Sequence, residues 1–401
     1  MTWEIVDIMS ARWKFVVRAI SPGANKSALC REFNISRPTG EKWIMRFLAE
    51  GYHGLSDQSR APKNIKQQTD VNTVCTIVRL RQSHPSWGGR KIRSALIRQG
   101  LISPSARTID RILQKSALVT IKRYRRRKKP NREFTDIPPE KPNHIWTIDI
   151  KGWWRMLNGE KVYPITICDL YSRTILAIAM APDTKAVRIK DLFIELFELH
   201  GLPEYIKSDN GAPWAFRPGL CGLTSLSVWW MSLGITPLFI PPSSPQFNAS
   251  HERMHKDMAD ELQSCPALNL QLEQQRADMF RIDYNTIRSH DALGGKVPSD
   301  LYKSSRISFS SDPINYSYPK NFHLRRILSN GKVNWRNKTH FISKAFANQT
   351  IAFEIINGKK MNIWFQEFCI GYSDSNISTP LVEYSLINHQ KLATRKRLVN
   401  V

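Results

Sequence analysis

The sequence predicts a multidomain chain with an all-α front of two tandem helix-turn-helix units, a mixed α/β centre and a small β-barrel behind. Three observations carry this. Apolar residues recur at helical spacing up to about residue 120, then at strand spacing from residue 141. Between the two regimes, Ile137-Pro138-Pro139-Glu140-Lys141-Pro142 forms a stiff joint, because proline removes a donor and restricts its predecessor. Behind residue 320, short apolar runs are separated by Asn330-Gly331 and Asn357-Gly358, dipeptides that spell hairpin turns. The expected boundaries are 1–60 and 61–120 for the helical units, 121–140 for a basic linker, 141–306 for the α/β core, 320–375 for the barrel and 376–401 for a basic tail.

Composition narrows the function. With 41% hydrophobic residues and 12 Trp among 401, there is material for packed cores, so wholesale disorder is excluded. No stretch approaches the roughly 18 apolar residues of a membrane span, and the first residues lack a basic then apolar leader. Six scattered cysteines without a C-x-x-C pair argue against a zinc cluster or disulfide scaffold. A cytoplasmic, nucleoid-associated protein is expected. Lys and Arg number 59 against 34 Asp and Glu, a net charge of +25 that calls for an anionic partner. Residues 1–140 hold 28 of those bases and 11 of those acids, so +17 of the charge sits at the front. Its densest run, 122–132, includes Arg125, Arg126 and Arg127. A solvated linker is one reading of that run; its place between helical modules and a core favours tracking a DNA backbone.

In the first unit, Trp13, Val16, Val17 and Ile20 make one apolar stripe, and Ala28 to Phe33 a second. A third runs from Trp43 to Leu48. Ser36 is placed to cap the last helix, and Pro38 is tolerated in its first turn. Two short helices joined by a few residues, the second basic, describe a helix-turn-helix. Arg37, Thr39, Lys42 and Arg46 are the side chains that would face a groove; an ordinary three-helix bundle with a solvated basic face is the competing reading. The second unit repeats the pattern, with Trp87-Gly88-Gly89 as a turn and Ser103-Pro104-Ser105 opening its third helix. Arg90 and Lys91 lie at the middle helix, while Arg107 and Arg111 share a face at i, i+4.

From residue 141, strands at Ile145–Ile150, Val162–Asp169 and Thr174–Ala179 precede a helix, 185–200, and a short strand, 205–208. Another helix, a strand at 235–240 that Pro237 marks as an edge, and a helix from about Asn248 complete a mixed α/β core. Trp146-Thr147-Ile148-Asp149, Ser208-Asp209-Asn210-Gly211 and Ser244-Pro245-Gln246…Asn248…Glu252-Arg253, in that order, resemble the Asp-Asp-Glu transposases of bacterial insertion sequences, in the branch whose core resembles retroviral integrases. The resemblance covers nearly the whole chain. It implies a ribonuclease-H-like core, an SH3-like barrel behind it, and catalytic, metal-binding roles for Asp149, Asp209 and Glu252. Two departures stand out: the 43 positions from Asp209 to Glu252 exceed the spacing of many relatives, and Ala249 replaces a common glycine.

Three carboxylates suit metal-assisted phosphoryl transfer. Two hard cations about 3.5–4 Å apart can activate the attacking oxygen and stabilise the leaving one, and Mg²⁺ accepts one or two carboxylates beside waters and substrate oxygens. Two Mg²⁺ ions, with Mn²⁺ as a substitute, are implied. An acid flanked by Ile148 and Ile150 is costly to bury without a partner. Asp209 is also read as a plain turn residue. Glu252 competes with Asp257, Asp260 and Glu261 on its helix, and Asp169 is a decoy on the next strand. Lys256 shares the face of Asn248 and Glu252 and is expected to hold a substrate phosphate, against a reading as a solvated lysine.

Five short strands behind residue 320 make the barrel, with Lys359, Lys360, Arg325 and Arg326 available to DNA. The expected activity is binding of an element's terminal inverted repeats through residues 1–120, then strand cleavage and strand transfer into target double-stranded DNA, by a homo-oligomer. A ribonuclease-H-like nuclease without strand transfer, or a non-catalytic DNA-binding regulator, are the alternatives.

Overall fold

The computed structural model describes residues 8–58, 69–119, 137–216, 219–240, 248–311, 316–356, 358, 360–377 and 382–383. Arg125, Arg126, Arg127, Lys359, the Ser244-Pro245-Gln246 segment and the basic tail lie outside these residues. The chain divides into two compact units, residues 1–68 and 69–401.

In the first unit, α1 (Ile8–Ala19), α2 (Lys26–Glu32) and α3 (Arg37–Glu50) form where local signals dictate. Asn25 accepts from the Ala28 amide and Ser36 from the Thr39 amide at 3.3 Å, each satisfying an otherwise orphaned donor. The core gathers Phe15, Val16, Leu29, Cys30, Trp43, Ile44 and Leu55. The stripe of α1 differs from expectation by a small rotation: Phe15, Val16 and Ala19 are buried, while Trp13, Val17 and Ile20 are more than a third exposed. Trp13 instead lies edge-on to Phe47 and Tyr52.

The second unit begins with α4 (Val71–Ser83), α5 (Gly89–Arg98) and α6 (Ala106–Lys115), capped by Ser105. Gly89 is where α5 meets α6. Its amide donates to Asp110 Oδ1 at 2.8 Å, and a Cβ there would come 2.5 Å from that oxygen and closer still to the Ala106 carbonyl. Gly89→Ala is therefore expected to lower stability by about 1–3 kcal/mol, through overpacking against backbone that cannot yield. Thermal unfolding of the purified chain checks it, and an unchanged midpoint would mean that α5 and α6 separate at little cost.

The core sheet runs β2 (Trp154–Arg155), β3 (Lys161–Asp169), β1 (Ile145–Ile150), β5 (Tyr205–Ser208), β6 (Thr236–Phe239), with β4 (Ile175–Ala181) also on β3. β1 is antiparallel to β3 but parallel to β5, and β5 is parallel to β6, which takes the edge that Pro237 favours. One face packs against α7 (Ala186–His200) and α8 (Ser225–Ser232) through Trp146, Phe193, Phe197 and Trp230. The other packs against α9 (Ala249–Met258) and α10 (Leu270–Thr286) through Met254, Met258, Phe280 and Tyr284. A π-helical turn, Ala259–Gln263, continues α9. Helix α8 is apolar all round because its Val228 and Met231 meet the C-terminal strands.

Those strands give sheets around one apolar core, and do not confirm the closure expected of a barrel. β7 (His323–Arg326), β10 (Thr350–Ile355), β11 (Lys360–Phe365), β12 (Phe368–Asp374) and β13 (Val382–Glu383) form a five-stranded sheet in the order β13-β12-β11-β10-β7. A separate hairpin joins β8 (Lys332–Trp335) to β9 (Lys338–Phe341). Among the described residues these are two sheets, not one closed barrel. The strand β12 lies outside the five expected, although its Cys369 is buried and its Ile370 belongs to the same core. Among the described residues no helix is long and apolar enough to cross a membrane.

Candidate active site

Strand pairing brings the first two acids together. In the parallel register of β1 and β5, Thr147 lies opposite Lys207. Two residues further along each strand stand Asp149 and Asp209, so both acids emerge at the same end of neighbouring strands. Glu252 follows in the first turn of α9, the helix lying across that face. Asp209 and Glu252 are exposed, whereas the Asp149 side chain keeps 23% of its surface. Burial pushes the Asp149 carboxyl up to about 7, and repulsion from Asp209 and, less strongly, Glu252 adds to that. Hydrogen bonds from the Ile150 backbone and the Asn248 side chain oppose the rise. Both other acids thus lie close enough to act on the Asp149 charge, which sequence order alone left open.

The nearest neighbours of Asp149 are polar. Asn248 Nδ2 donates to Asp149 Oδ2 at 3.0 Å, and Asn248 Oδ1 is a buried acceptor with no partner among the described residues. His255 Nδ1 stands 3.9 Å from Asp149 Oδ2. Beneath them, Thr166 Oγ1 touches the Asp149 carbonyl at 3.0 Å, His251 Nε2 at 2.6 Å and His255 Nε2 at 2.7 Å. Burial holds His255 down to about 3, with the nearby Lys151 charge assisting, and holds His251 well below the ordinary imidazole range. Both rings are neutral at working pH.

This donor set fits a hard divalent cation. It offers carboxylate oxygens that repel one another and an orphaned amide oxygen beside the central acid, all of which a positive charge would relieve. Among the described residues no three Asp, Glu, His or Cys side chains converge closely enough to share a single ion; Asp209 and Glu252 are exposed, and Asp209 Oδ1 accepts from the Gly211 amide at 3.1 Å.

The competing acids are otherwise engaged. Asp169 accepts from the Asn143 and Ser172 amides at 2.8 and 2.7 Å and from the Ser172 hydroxyl at 2.6 Å, which ties the turn after β3. Asp257 is paired with Arg288, and Glu261 with His84 at 3.1 Å. His251 and His255 were missed in the sequence, where they stand as His251-Glu252-Arg253-Met254-His255. That spacing matches the helical zinc motif H-E-x-x-H. The structure turns both imidazoles into the sheet, and His251 spends both ring nitrogens on the hydroxyls of Thr147 and Thr166.

The basic residues separate into two groups. Arg37 and Lys42 are exposed on α3, and Lys42 and Arg46 lie over the Trp43 ring at 4.7 and 5.3 Å. Thr39 is half-buried, with its hydroxyl engaged by Ser36 at 2.8 Å. Arg107 and Arg111 are exposed together on α6, and Lys256 is exposed one turn beyond Glu252. Arg90 is exposed, 3.6 Å from Asp291. Lys91 differs: its ammonium is buried beside Arg288 and Asp257 without a hydrogen bond among the described residues, and burial brings it down to about 8. It points into the molecule, away from any groove. Helix α5 is in fact a docking element, with Arg98 bonded to Asp300 and to the Thr286 carbonyl at 3.1 Å.

Comparison with known proteins agrees with this layout. Residues 12–63 match a helix-turn-helix domain model and residues 39–113 a homeodomain-like domain model. Two integrase core domain models match residues 139–245 and 233–298. The uncharacterized proteins of insertion element IS136 from Agrobacterium fabrum and Agrobacterium tumefaciens are each 27% identical over 159 residues, which is 37% of this chain and 78% of theirs. Similar solved structures include the HTLV-2 integrase catalytic core domain in complex with magnesium, at 16% identity and a TM-score of 0.32, covering 41% of this chain and 100% of that one. Another is the simian T-cell lymphotropic virus intasome in complex with PP2A regulatory subunit B56 gamma, at 14% identity and a TM-score of 0.37, covering 77% and 96%. The chain therefore carries helix-turn-helix domains in front of an integrase core domain, with insertion-element proteins among its relatives, an organisation consistent with an insertion-sequence transposase whose core is integrase-like.

Proposed function

We propose that the chain cleaves DNA at the ends of an insertion sequence and joins the freed end to target DNA, with Asp149, Asp209 and Glu252 as its catalytic acids. The observation that supports this reading is the parallel register of β1 and β5, which brings Asp149 and Asp209 to the same end of neighbouring strands, with Glu252 in the first turn of α9. Divalent ions held by the three acids, Mg²⁺ with Mn²⁺ as a substitute, would supply charge neutralisation at the attacked phosphate. The chain's own residues do the rest. Asn248 orients Asp149 through its amide. Arg37, Lys42 and Arg46 on α3, and Arg107 and Arg111 on α6, hold the element's terminal repeat. Two such helices read a longer site than one, as a defined end requires. Lys256 holds a substrate phosphate beside the acids. Water attacks the phosphodiester at the element end, one P–O bond forming as the bond to the 3′-oxygen breaks. The freed 3′-hydroxyl then attacks a target phosphodiester in the same sense. Handling two ends together calls for a homo-oligomer.

The test is a labelled duplex carrying the DNA that flanks the gene, incubated with purified protein and Mg²⁺. Nicking at a fixed position is expected, followed by joined products, with both lost in EDTA. Asp149→Asn should reduce nicking by at least about a thousandfold, the scale of losing a group that acts in the transition state, while DNA affinity stays within about twofold. Nicking without joined products would favour a nuclease alone. Equal nicking by both proteins would remove Asp149 from the reaction.

A further inference from the structure

The hydroxyl of Thr166 has one proton and two lone pairs, and the structure gives it three polar neighbours. They are the Asp149 carbonyl at 3.0 Å, His251 Nε2 at 2.6 Å and His255 Nε2 at 2.7 Å. A carbonyl can only accept, so the Thr166 proton goes to Asp149. Both imidazoles must then donate from Nε2, which is the one proton assignment that keeps all three contacts as hydrogen bonds. A neutral imidazole carries a single N–H, so each Nδ1 is left as a bare lone pair. His251 Nδ1 is met by the Thr147 hydroxyl at 2.9 Å, the shorter of that hydroxyl's two choices; the Cys168 carbonyl is at 3.3 Å.

His255 Nδ1 has no such partner among the described residues. It faces Asp149 Oδ2 across 3.9 Å, acceptor against acceptor, on a side chain only 9% exposed. That separation is too long for a hydrogen bond. It is shorter than two metal–ligand bonds of about 2.0–2.2 Å laid end to end. Asn248 Oδ1 adds a second buried, unpartnered acceptor on the residue that also binds Asp149 Oδ2. Acceptors gathered without a proton between them are what a cation relieves.

We propose that His255, through Nδ1, is a further ligand of the divalent cation held by Asp149, with Thr166 fixing the tautomer that leaves this nitrogen free. The proposal rests on the reading of Asp149 as a metal ligand. It gives one site both hard oxygens and a softer nitrogen. An imidazole favours later transition metals over Mg²⁺, so the site should take Co²⁺ in preference to Mg²⁺ by more than its carboxylates alone would dictate.

Titrating the full chain with Co²⁺, read by visible absorption, and competing with Mg²⁺ tests this without turnover. His255→Gln keeps a donor towards Thr166 but places no atom at Nδ1. His255→Asn keeps an oxygen near Nδ1 and gives up Thr166. Under the proposal His255→Gln weakens Co²⁺ about tenfold, with Mg²⁺ changed by less than about threefold, while His255→Asn retains more Co²⁺ affinity than His255→Gln. The reverse order would make His255 a positioning residue acting through Thr166, and would overturn the proposal. Asp149→Asn separates the two readings: if it binds Co²⁺ as the wild type does, the metal role of Asp149 fails as well. Should either His255 variant misfold, ¹⁵N-histidine NMR of the unaltered chain decides. An Nε2–H tautomer with Nδ1 shifting on metal addition supports the assignment, and an Nδ1–H tautomer refutes it.

Discussion

Asp257→Ala should be among the most damaging single changes in this chain, lowering stability by about 3–5 kcal/mol, the usual cost of stripping one partner from a buried ion pair. Asp257 and Arg288 retain 2% and 5% of their side-chain surface. Lys91 is buried beside them, and Arg253 reaches Asp257 at 3.7 Å. Asp257 is thus the buried acid opposite both cations, and the exposed Asp291 acts on Lys91 less strongly. Without Asp257, Arg288 and Lys91 face each other in a low-dielectric interior. Arg288→Met should cost clearly less, because Asp257 would still be opposite Lys91. Lys91→Met should be neutral or stabilising, since it removes a buried ammonium that has no hydrogen bond among the described residues. Urea unfolding of the three variants orders them, and a smaller loss for Asp257→Ala than for Arg288→Met would refute this charge balance. DNA affinity gives a second reading: Lys91→Met should leave it unchanged, while Arg107→Ala with Arg111→Ala should weaken it and flatten its salt dependence.

In EDTA, Asp149→Asn should melt higher than the wild type. The sign follows from linkage. The Asp149 carboxyl has an ordinary value of 3.8 and is pushed up to about 7 in the folded chain, burial first and Asp209 next. A raised acid binds its proton more tightly when folded. Its contribution is therefore most favourable below about pH 4 and is lost as pH rises towards 7. At pH 8 the wild type bears the full cost of an ionised carboxylate among like charges, on the order of 2 kcal/mol once partial exposure and sharing with its neighbours are allowed for. Asparagine removes that charge while keeping an oxygen for Asn248. The advantage of Asp149→Asn should fade as pH falls from 7 to 4. Saturating Mg²⁺ should raise the wild-type midpoint and leave the variant's unmoved. A variant melting no higher than wild type at pH 8 in EDTA would show that the acids do not strain the fold.

Much of the candidate site was legible because each proposed acid sits at a local signal. Asp149 interrupts an apolar strand, Asp209 ends a strand at Asn210-Gly211, and Glu252 opens a helix. The helix starts were legible for the same reason, since Ser36 and Ser105 each cap an amide three residues away. Lys91 was not. Its spacing on α5 resembles that of an outward-facing base, and only the packing of α5 against Asp257 and Arg288 turns it inward. His251 and His255 were overlooked because their partners, Thr147 and Thr166, are about 85 to 105 positions away.

By itself, the sequence determined what short-range chemistry can specify: the order of elements, their caps and turns, the basic front and the three acids. Tertiary structure alone decided which face of α1 is buried, that β1 and β5 lie parallel so that Asp149 stands beside Asp209, that Asp169 is consumed by a turn, and that the C-terminal strands form a sheet and a hairpin. The physical reason is that periodicity marks a face without naming what covers it. Strand partners, ion-pair partners and the ownership of a lone pair are settled only when distant segments are packed together.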